Sequence, residues 1–435
     1  MAKKSITDLC DLNGKRVLIR VDFNVAIKPK LPATRDEAVI TDDNRIRAAL
    51  PSIEYLLNKG AKVILMSHLG RPDGQVVEGL RLDVVAKRLS VLLGKAVKKV
   101  DDCIGPEVEA TIAAMQPGEV LMLENVRFHP EEEAKDDALR LPFAQQLARL
   151  GDIYVNDAFG TAHRDHASTA SIARYLHPAV AGFLMAKELE ILGKALDTPA
   201  RPFVAILGGA KVKDKLKLIN NLIGTVDALL IGGGMAYTFY KAQGYEIGNS
   251  LLDADRINDV KAIMAKAETS STKLVLPVDI VIAKDAVENA DTRVVTPDGI
   301  PADWQGLDVG PNTVALFNGY INTAKLVFWN GPVGLFEIAA FAQGTTAIAK
   351  TLANADAFTI IGGGDSAAAV AQMGFADKIG FISTGGGASL EYLEGTPLPG
   401  VVALDDKWRD LFLLLTPTLT PTQNLKKEKE KDERT

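Results

Sequence analysis

Gly362-Gly363-Gly364-Asp365-Ser366 follows the apolar run Phe358 to Ile361. A strand that breaks into glycines lets backbone approach a phosphate closely, and the free amides of a helix starting there attract anions. Three further clusters in the second half, Gly208-Gly209, Gly232-Gly233-Gly234 and Gly385-Gly386-Gly387, also follow apolar runs. A single glycine can serve only a strand-to-helix turn. Four clusters in equivalent positions point to phosphate or nucleotide binding.

The nucleotide chemistry has two readings. Gly362, Gly364 and Ala367 satisfy the dinucleotide fingerprint, which would make a dehydrogenase. That fingerprint wants an acidic residue about 20 positions later, and Phe381 to Gly387 contain none. Asp365 instead follows the glycines at once, where a carboxylate can hold Mg²⁺ against phosphate oxygens, or cap a helix. No Gly-x-x-x-x-Gly-Lys-Ser/Thr loop exists, so another lysine must meet the phosphates. Lys211 and Lys215, spaced i, i+4, would share one face if a helix begins there. Cations at that end oppose the helix dipole, which suits anion binding better than stability, and solvated surface lysines are the alternative.

The first half supplies a different set: Arg45, His68 with Arg71, Arg127 with His129, and His163-Arg164 with His166, in loops after apolar strands. Arginine's planar fork suits carboxylate and phosphate oxygens, so the set fits a small phosphorylated acid. Taken singly, each is a candidate for surface ion pairing. Their shared position favours a ligand. Asp22 and Asn24, after Val17 to Val21, either orient a substrate hydroxyl or form a turn.

Short Val- and Ile-rich runs must position these groups: Val17 to Val21, Val63 to Met66, Val120 to Leu123 and Ile153 to Val155, then Phe203 to Leu207, Ala228 to Ile231, Leu274 to Leu276, Leu326 to Trp329, Phe358 to Ile361 and Ile379 to Ile382. Alternating with amphipathic stretches, they predict buried parallel strands in α/β layers. Met185 to Leu196 reads as a helix connecting two units, and 435 residues exceed one ordinary core. With 47% hydrophobic and 24% charged residues the chain is globular. A formal charge of −6 argues against wholesale nucleic-acid binding. Cys10 and Cys103 lie in no metal-ligand spacing, which gives a disulfide framework or zinc site no support. Asp8 and Asp11 interrupt any leader, and no run of about 18 apolar residues occurs, so a cytoplasmic protein without membrane partners is expected. Beyond Leu404, Trp408 to Leu415 is apolar and Lys426 to Arg434 alternates charge, predicting a solvated tail with a small docking segment.

Arg20-Val21-Asp22-Phe23-Asn24, Ser67 to Pro72, Leu123 to Phe128, Asn156 to Gly160, Gly208 to Val212, Phe328 to Pro332 and Gly362 to Ser366 together resemble phosphoglycerate kinase, over about Leu9 to Leu404. The resemblance implies an α/β fold of two Rossmann-like parallel-sheet domains, each a three-layer αβα unit, joined by a hinge helix. Residues 1–184 would bind 3-phosphoglycerate and 185–387 MgADP or MgATP, with 388–404 returning to the first domain and 405–435 a flexible extra tail. It also implies a monomer working on small molecules in glycolysis or its reverse, turning 1,3-bisphosphoglycerate and MgADP into 3-phosphoglycerate and MgATP.

By matching position, Asp22, Phe23 and Asn24 are assigned to the substrate, with Asp22 and Asn24 at its carboxylate or hydroxyl end and His68, Arg71, Arg127 and Arg164 at its phosphate. Arg45 matches the arginine that stabilises the phosphoryl in transit, Lys211 and Lys215 the nucleotide-phosphate lysines, Gly306 and Leu307 the adenine pocket, Asn330 the phosphate region and Glu337 the ribose. Gly362, Gly363, Gly364 and Ser366 form the phosphate turn, and Asp365 holds Mg²⁺. Arg45, Lys215, Gly363 and Gly364 would carry the catalysis. Departures from the family are the longer stretch from Val25 to Thr41, Ala26 in place of proline, Arg35 as a competitor to Arg45, and the segment after Leu404. A carboxylate nucleophile is ionised at neutral pH, so no general base is required. An oxidoreductase and a non-catalytic nucleotide-binding protein are the rival readings.

Overall fold

The computed structural model describes residues 2–28 and 39–407. Its first large sheet has six parallel strands in the order Val97–Lys99, Val120–Met122, Lys62–Met66, Arg16–Val21, Ile153–Asp157, Ala179–Ala181. The central strands are largely apolar and have no water-facing side; every residue of Ile153–Asp157 is buried, including Asn156 and Asp157 at its carboxyl end. Parallel pairing demands this, because the helical crossovers cover both faces.

The second sheet also has six parallel strands, ordered Lys273–Val275, Ala228–Ile231, Phe203–Leu207, Leu326–Asn330, Phe358–Gly362, Phe381–Ile382. Numbered along the chain this is 3-2-1-4-5-6, the doubly wound order, which reverses between Phe203–Leu207 and Leu326–Asn330. Such a reversal opens a crevice at the strands' carboxyl ends, where ligands of open α/β sheets sit. The α/β fold with two parallel sheets stands. Two additions were not legible in the sequence: a hairpin of Ala26–Lys28 with Val39–Asp42, and an antiparallel sheet of Arg293–Val295, Ile280–Ala283 and Gln305–Val309.

A helix, Phe183–Asp197, runs between the sheets and starts two residues before the stretch read from the sequence. Met185, Glu188, Leu192 and Ala195 form its buried stripe, the 3–4 spacing of one helical face. The carboxylate in that stripe is fully hydrogen-bonded: Glu188 accepts from Ser383 Oγ at 2.7 Å, Thr384 N at 2.7 Å and Thr384 Oγ1 at 2.9 Å. The helix is thereby fastened to the segment leaving the last strand. From there the chain returns to the first sheet, where Asp405 N donates to Ala179 O at 2.8 Å and Asn156 Nδ2 to Gly400 O at 3.4 Å. Arg35, the run Trp408 to Leu415 and the charged tail lie outside the described residues. Among the described residues no helix is long and apolar enough to cross a membrane.

Candidate active site

The first cluster is built at the carboxyl ends of Arg16–Val21, Lys62–Met66 and Ile153–Asp157. Backbone hydrogen bonding fixes the loop after the first strand: Phe23 N donates to Ser67 Oγ at 2.9 Å, and Asn24 Oδ1 accepts from Gly70 N at 2.9 Å. Phe23 is buried and serves as an anchor, leaving Asp22 beside it to accept from Arg45 Nη1. Arg127 is oriented by Gly70 O at 2.8 Å and Glu133 at 2.9 Å, while Asn125 Oδ1 holds its backbone amide at 3.1 Å. Arg164 is half-buried in the next loop and Arg71 exposed at the rim.

Charge in this pocket is lopsided. Arg20, almost wholly buried, donates to Ser168 Oγ at 2.9 Å and to His68 Nδ1 at 3.1 Å. Since a guanidinium only donates, His68 must accept at Nδ1 and present Nε2–H as a donor. Burial, reinforced by Arg20, Arg127 and Arg45, drives the His68 pKa well below its ordinary value. Burial likewise lowers Arg127, with Glu133 opposing and Arg20 adding to the shift. Arg127 Nε and His163 Nδ1 are buried polar atoms without a hydrogen-bond partner. Buried donors are normally paired, so orphans among repelling cations mark a place for an anion.

His166 belongs to the same pocket, and burial followed by Arg127, Arg20 and Arg164 pushes its pKa down to about 3. Its imidazole signals should therefore stay unchanged in an NMR titration from neutral pH to about 5, whereas a midpoint near 6.5 would contradict the placement. In the unfolded chain the ring takes up a proton near 6.5. The stability it contributes is thus complete above that pH and is lost as pH falls toward about 3.

The second cluster is a cleft of about 410 Å³ at the sheet reversal, lined by residues that include Gly209, Lys211, Lys215, Asn330, Gly363, Gly364, Asp365 and Ser366. Gly208 is irreplaceable there, because a Cβ would lie 2.1 Å from Pro332 O. Gly363 has φ +90°, and a Cβ on it would meet Asn330 Nδ2 at 2.6 Å. Asn330 organises the cleft: its Nδ2 donates to Gly362 O at 2.6 Å, its carbonyl accepts from Gly208 N at 2.9 Å, and its Oδ1 accepts from Lys215 Nζ. Ser366 Oγ accepts from Gly331 N at 2.6 Å. Helix Gly364–Gln372 begins here and turns its N-terminal end, with exposed Asp365 in the first turn, to the cleft. Burial lowers the Lys215 pKa, while Asp214, Glu394 and Asp365 oppose the shift.

One premise of the sequence reading is corrected. Lys211 and Lys215 do not share a helical face, because Lys211 is extended ahead of the 3-10 turn Val212–Asp214 and helix Leu216–Leu222 starts only after Lys215. Both lysines still line the cleft. Gly306, Leu307 and Glu337 do not line it. Gly306 is buried, donating to Ser250 Oγ at 2.9 Å. Leu307 O accepts from Leu335 N at 2.9 Å, and Glu337 is exposed on the loop beyond.

His129 turns away from the cationic pocket to pair with Asp102 at 2.7 Å. Glu132, not among the residues singled out by type and spacing, is wholly buried and accepts from Ser168 N at 2.9 Å and Ser168 Oγ at 2.6 Å. Nothing in the run Glu131-Glu132-Glu133 distinguishes it from a solvated acidic turn. A turn joins the two clusters. Gly386 and Gly387 line the second cleft, and a Cβ built on Gly387 would lie 3.8 Å from His163 Nε2 of the first.

A family model described as phosphoglycerate kinase matches residues 6–396. A phosphoglycerate kinase of Moorella thermoacetica is 57% identical over 407 residues, covering 94% of this chain and 100% of its own length. Among solved structures, the phosphoglycerate kinase of Coxiella burnetii superposes with a TM-score of 0.82 at 40% identity, over 92% of this chain and 98% of that one. That of Pyrococcus horikoshii gives 0.77 at 31% identity, over 93% and 98%.

Proposed function

The chain belongs to the phosphoglycerate kinase family, and on that premise we propose how its residues divide the reaction between the two clusters. It is an ATP-dependent phosphotransferase of glycolysis and gluconeogenesis, moving a phosphoryl group reversibly between 1,3-bisphosphoglycerate and ADP to give 3-phosphoglycerate and ATP. The observation that carries the assignment is the shared turn at Gly386-Gly387, which borders the nucleotide cleft while abutting His163 of the cationic pocket. A phosphoryl donor in one cluster and an acceptor in the other would be neighbours there.

The cationic pocket takes 3-phosphoglycerate. Its phosphate is held by His68, Arg71, Arg127 and Arg164, while Asp22 and Asn24, on the loop anchored by Phe23, orient the carboxylate or hydroxyl end. The cleft takes the nucleotide's phosphates, with Lys211, Lys215, Asn330, Ser366 and the glycines 362–364, and the nucleoside extends beyond the cleft, the adenine to Gly306 and Leu307 and the ribose to Glu337. Asp365 fits Mg²⁺ because it is one exposed carboxylate beside a phosphate cradle, and that ion commonly uses one or two carboxylates plus substrate phosphates. When bound with the nucleotide, Mg²⁺ supplies charge neutralisation at the phosphate oxygens.

In the direction of ATP use, the acceptor carboxylate attacks the terminal phosphorus without a base, being ionised already. Positioning and charge stabilisation remain for the protein. Arg45 leaves Asp22 for the phosphoryl in transit, Lys215 meets it from the nucleotide side, and the amides of Gly363 and Gly364 meet its oxygens. Closure of residues 1–184, carrying 388–404, onto 185–387 about helix Phe183–Asp197 expels the water that would hydrolyse it. A cytoplasmic monomer acting on small molecules, with no nucleic-acid or membrane partner, accords with the family and with a formal charge of −6.

An assay coupling ADP formation to 3-phosphoglycerate and MgATP tests the activity; no ADP would overturn it. Arg127→Ala tests the pocket assignment. A charge-assisted hydrogen bond contributes about 1.5–3 kcal/mol, so KM for 3-phosphoglycerate should rise roughly 10- to 100-fold with nucleotide affinity unchanged. Equal losses for both substrates would refute it.

A further inference from the structure

Away from both clusters, the loop following strand Val97–Lys99 meets the turn that follows Arg127. Asp102 and Cys103 there face His129, which is 27 positions from Asp102 along the chain. A carboxylate oxygen, the Sγ and an imidazole nitrogen all lie within 4.8 Å of one another. Tetrahedral zinc, with bonds of about 2.0–2.3 Å, separates neighbouring ligand atoms by roughly 3.3–3.8 Å, so a small adjustment that opens the hydrogen-bonded His129–Asp102 pair and draws in any wider spacing would complete the geometry. We propose that Asp102, Cys103 and His129 bind one zinc-class divalent cation, with the fourth position open to water.

The ligands are already oriented. The His129 ring stacks on Phe143 with centroids 4.7 Å apart and planes at 26°. Its Nε2 is 2.7 Å from Asp102 Oδ1, and the same oxygen accepts from Cys103 N at 2.6 Å. Cys103 Sγ is buried and donates to Glu124 O at 3.0 Å, while Asp102 is exposed and His129 partly so, which leaves a way in from solvent. One sulfur, one imidazole and one carboxylate suit a borderline-soft ion such as Zn²⁺ or Co²⁺ and discriminate against Mg²⁺. The cation would displace the thiol proton to solvent and replace both the Sγ–H···O=C bond and the His129–Asp102 bond, so uptake releases protons and strengthens with rising pH. Occupancy would fasten this loop to the turn beside Arg127, stabilising the fold without entering the reaction.

The test is titration of the metal-stripped full chain with Co²⁺ in excess Mg²⁺, followed by thiolate-to-cobalt charge-transfer absorption. One equivalent should bind with that absorption and be displaced by Zn²⁺, and Zn²⁺ should raise the melting temperature. Cys103→Ser should abolish the absorption and His129→Gln should weaken binding on the order of 100-fold, with circular dichroism unchanged, whereas Cys10→Ser should change neither. Absence of thiolate absorption in the unsubstituted protein, its survival in Cys103→Ser, or undiminished affinity in His129→Gln overturns the site.

Discussion

Arg45→Ala should lower turnover by about a thousandfold while leaving nucleotide affinity within about twofold, as expected for an arginine that meets charge only in the transition state. Arg45 is the second residue of helix Asn44–Asn58, and its side chain is 39% exposed, ion-paired to Asp22 rather than sealed in the core. It is free to change partner. A Cβ built on Gly160 would sit 2.7 Å from Asp22 Oδ2, 3.7 Å from Arg45 Nη1 and 3.3 Å from Thr384 O, so this pair lies where the chain of the second unit approaches the first. Truncation removes the cationic fork that pairs with Asp22. Arg45→Lys should recover only part of the loss, since an ammonium is a point charge without the bidentate geometry. Steady-state kinetics with calorimetric nucleotide binding check both halves of the claim. A turnover within tenfold of the parent would remove Arg45 from the transition state.

Lys215→Met should cost turnover roughly 100- to 1,000-fold, the range for losing one preorganised donor at developing charge. The substitution keeps an unbranched stem as far as Cε and removes the ammonium. Asn330 Oδ1 holds that ammonium at the floor of the cleft, and Asn330 is itself fixed by Gly362 O and Gly208 N, so the lysine is aimed before the nucleotide arrives. Burial already disfavours the charged form, a cost that an approaching phosphate offsets. The loss should fall on kcat more than on KM for MgATP. A change confined to KM would make Lys215 a ground-state phosphate contact instead.

The strands that carry both clusters were legible because fully buried parallel strands need continuous Val/Ile-rich runs, as in Val17 to Val21 and Phe203 to Leu207. Val97–Lys99 and Ala179–Ala181 were not, since three residues with two lysines, or small alanines beside one valine, show no such run and owe their strand state to pairing with neighbours. Glycines after strands indicated the nucleotide cleft because backbone sterics at Gly208 and Gly363 forbid other residues. Burial of charge gave no sequence signal: Arg20, Glu132 and Glu188 look like surface residues until tertiary contacts supply their partners. The spacing of Lys211 and Lys215 misled, because a 3-10 turn intervenes. Nothing in the spacing around Cys103 marks its neighbourhood with His129, which lies 27 positions beyond Asp102 and is brought to the loop by the fold.

The central claim is that each cluster binds one substrate and that transfer requires the two to close. Small-angle scattering on four samples tests it most directly: the free protein, each binary complex, and the ternary complex of 3-phosphoglycerate with a non-transferable MgATP analogue. The account predicts a smaller radius of gyration for the ternary complex than for the other three. The same radius in all four, with both ligands bound and the unsubstituted protein fully active, would contradict it.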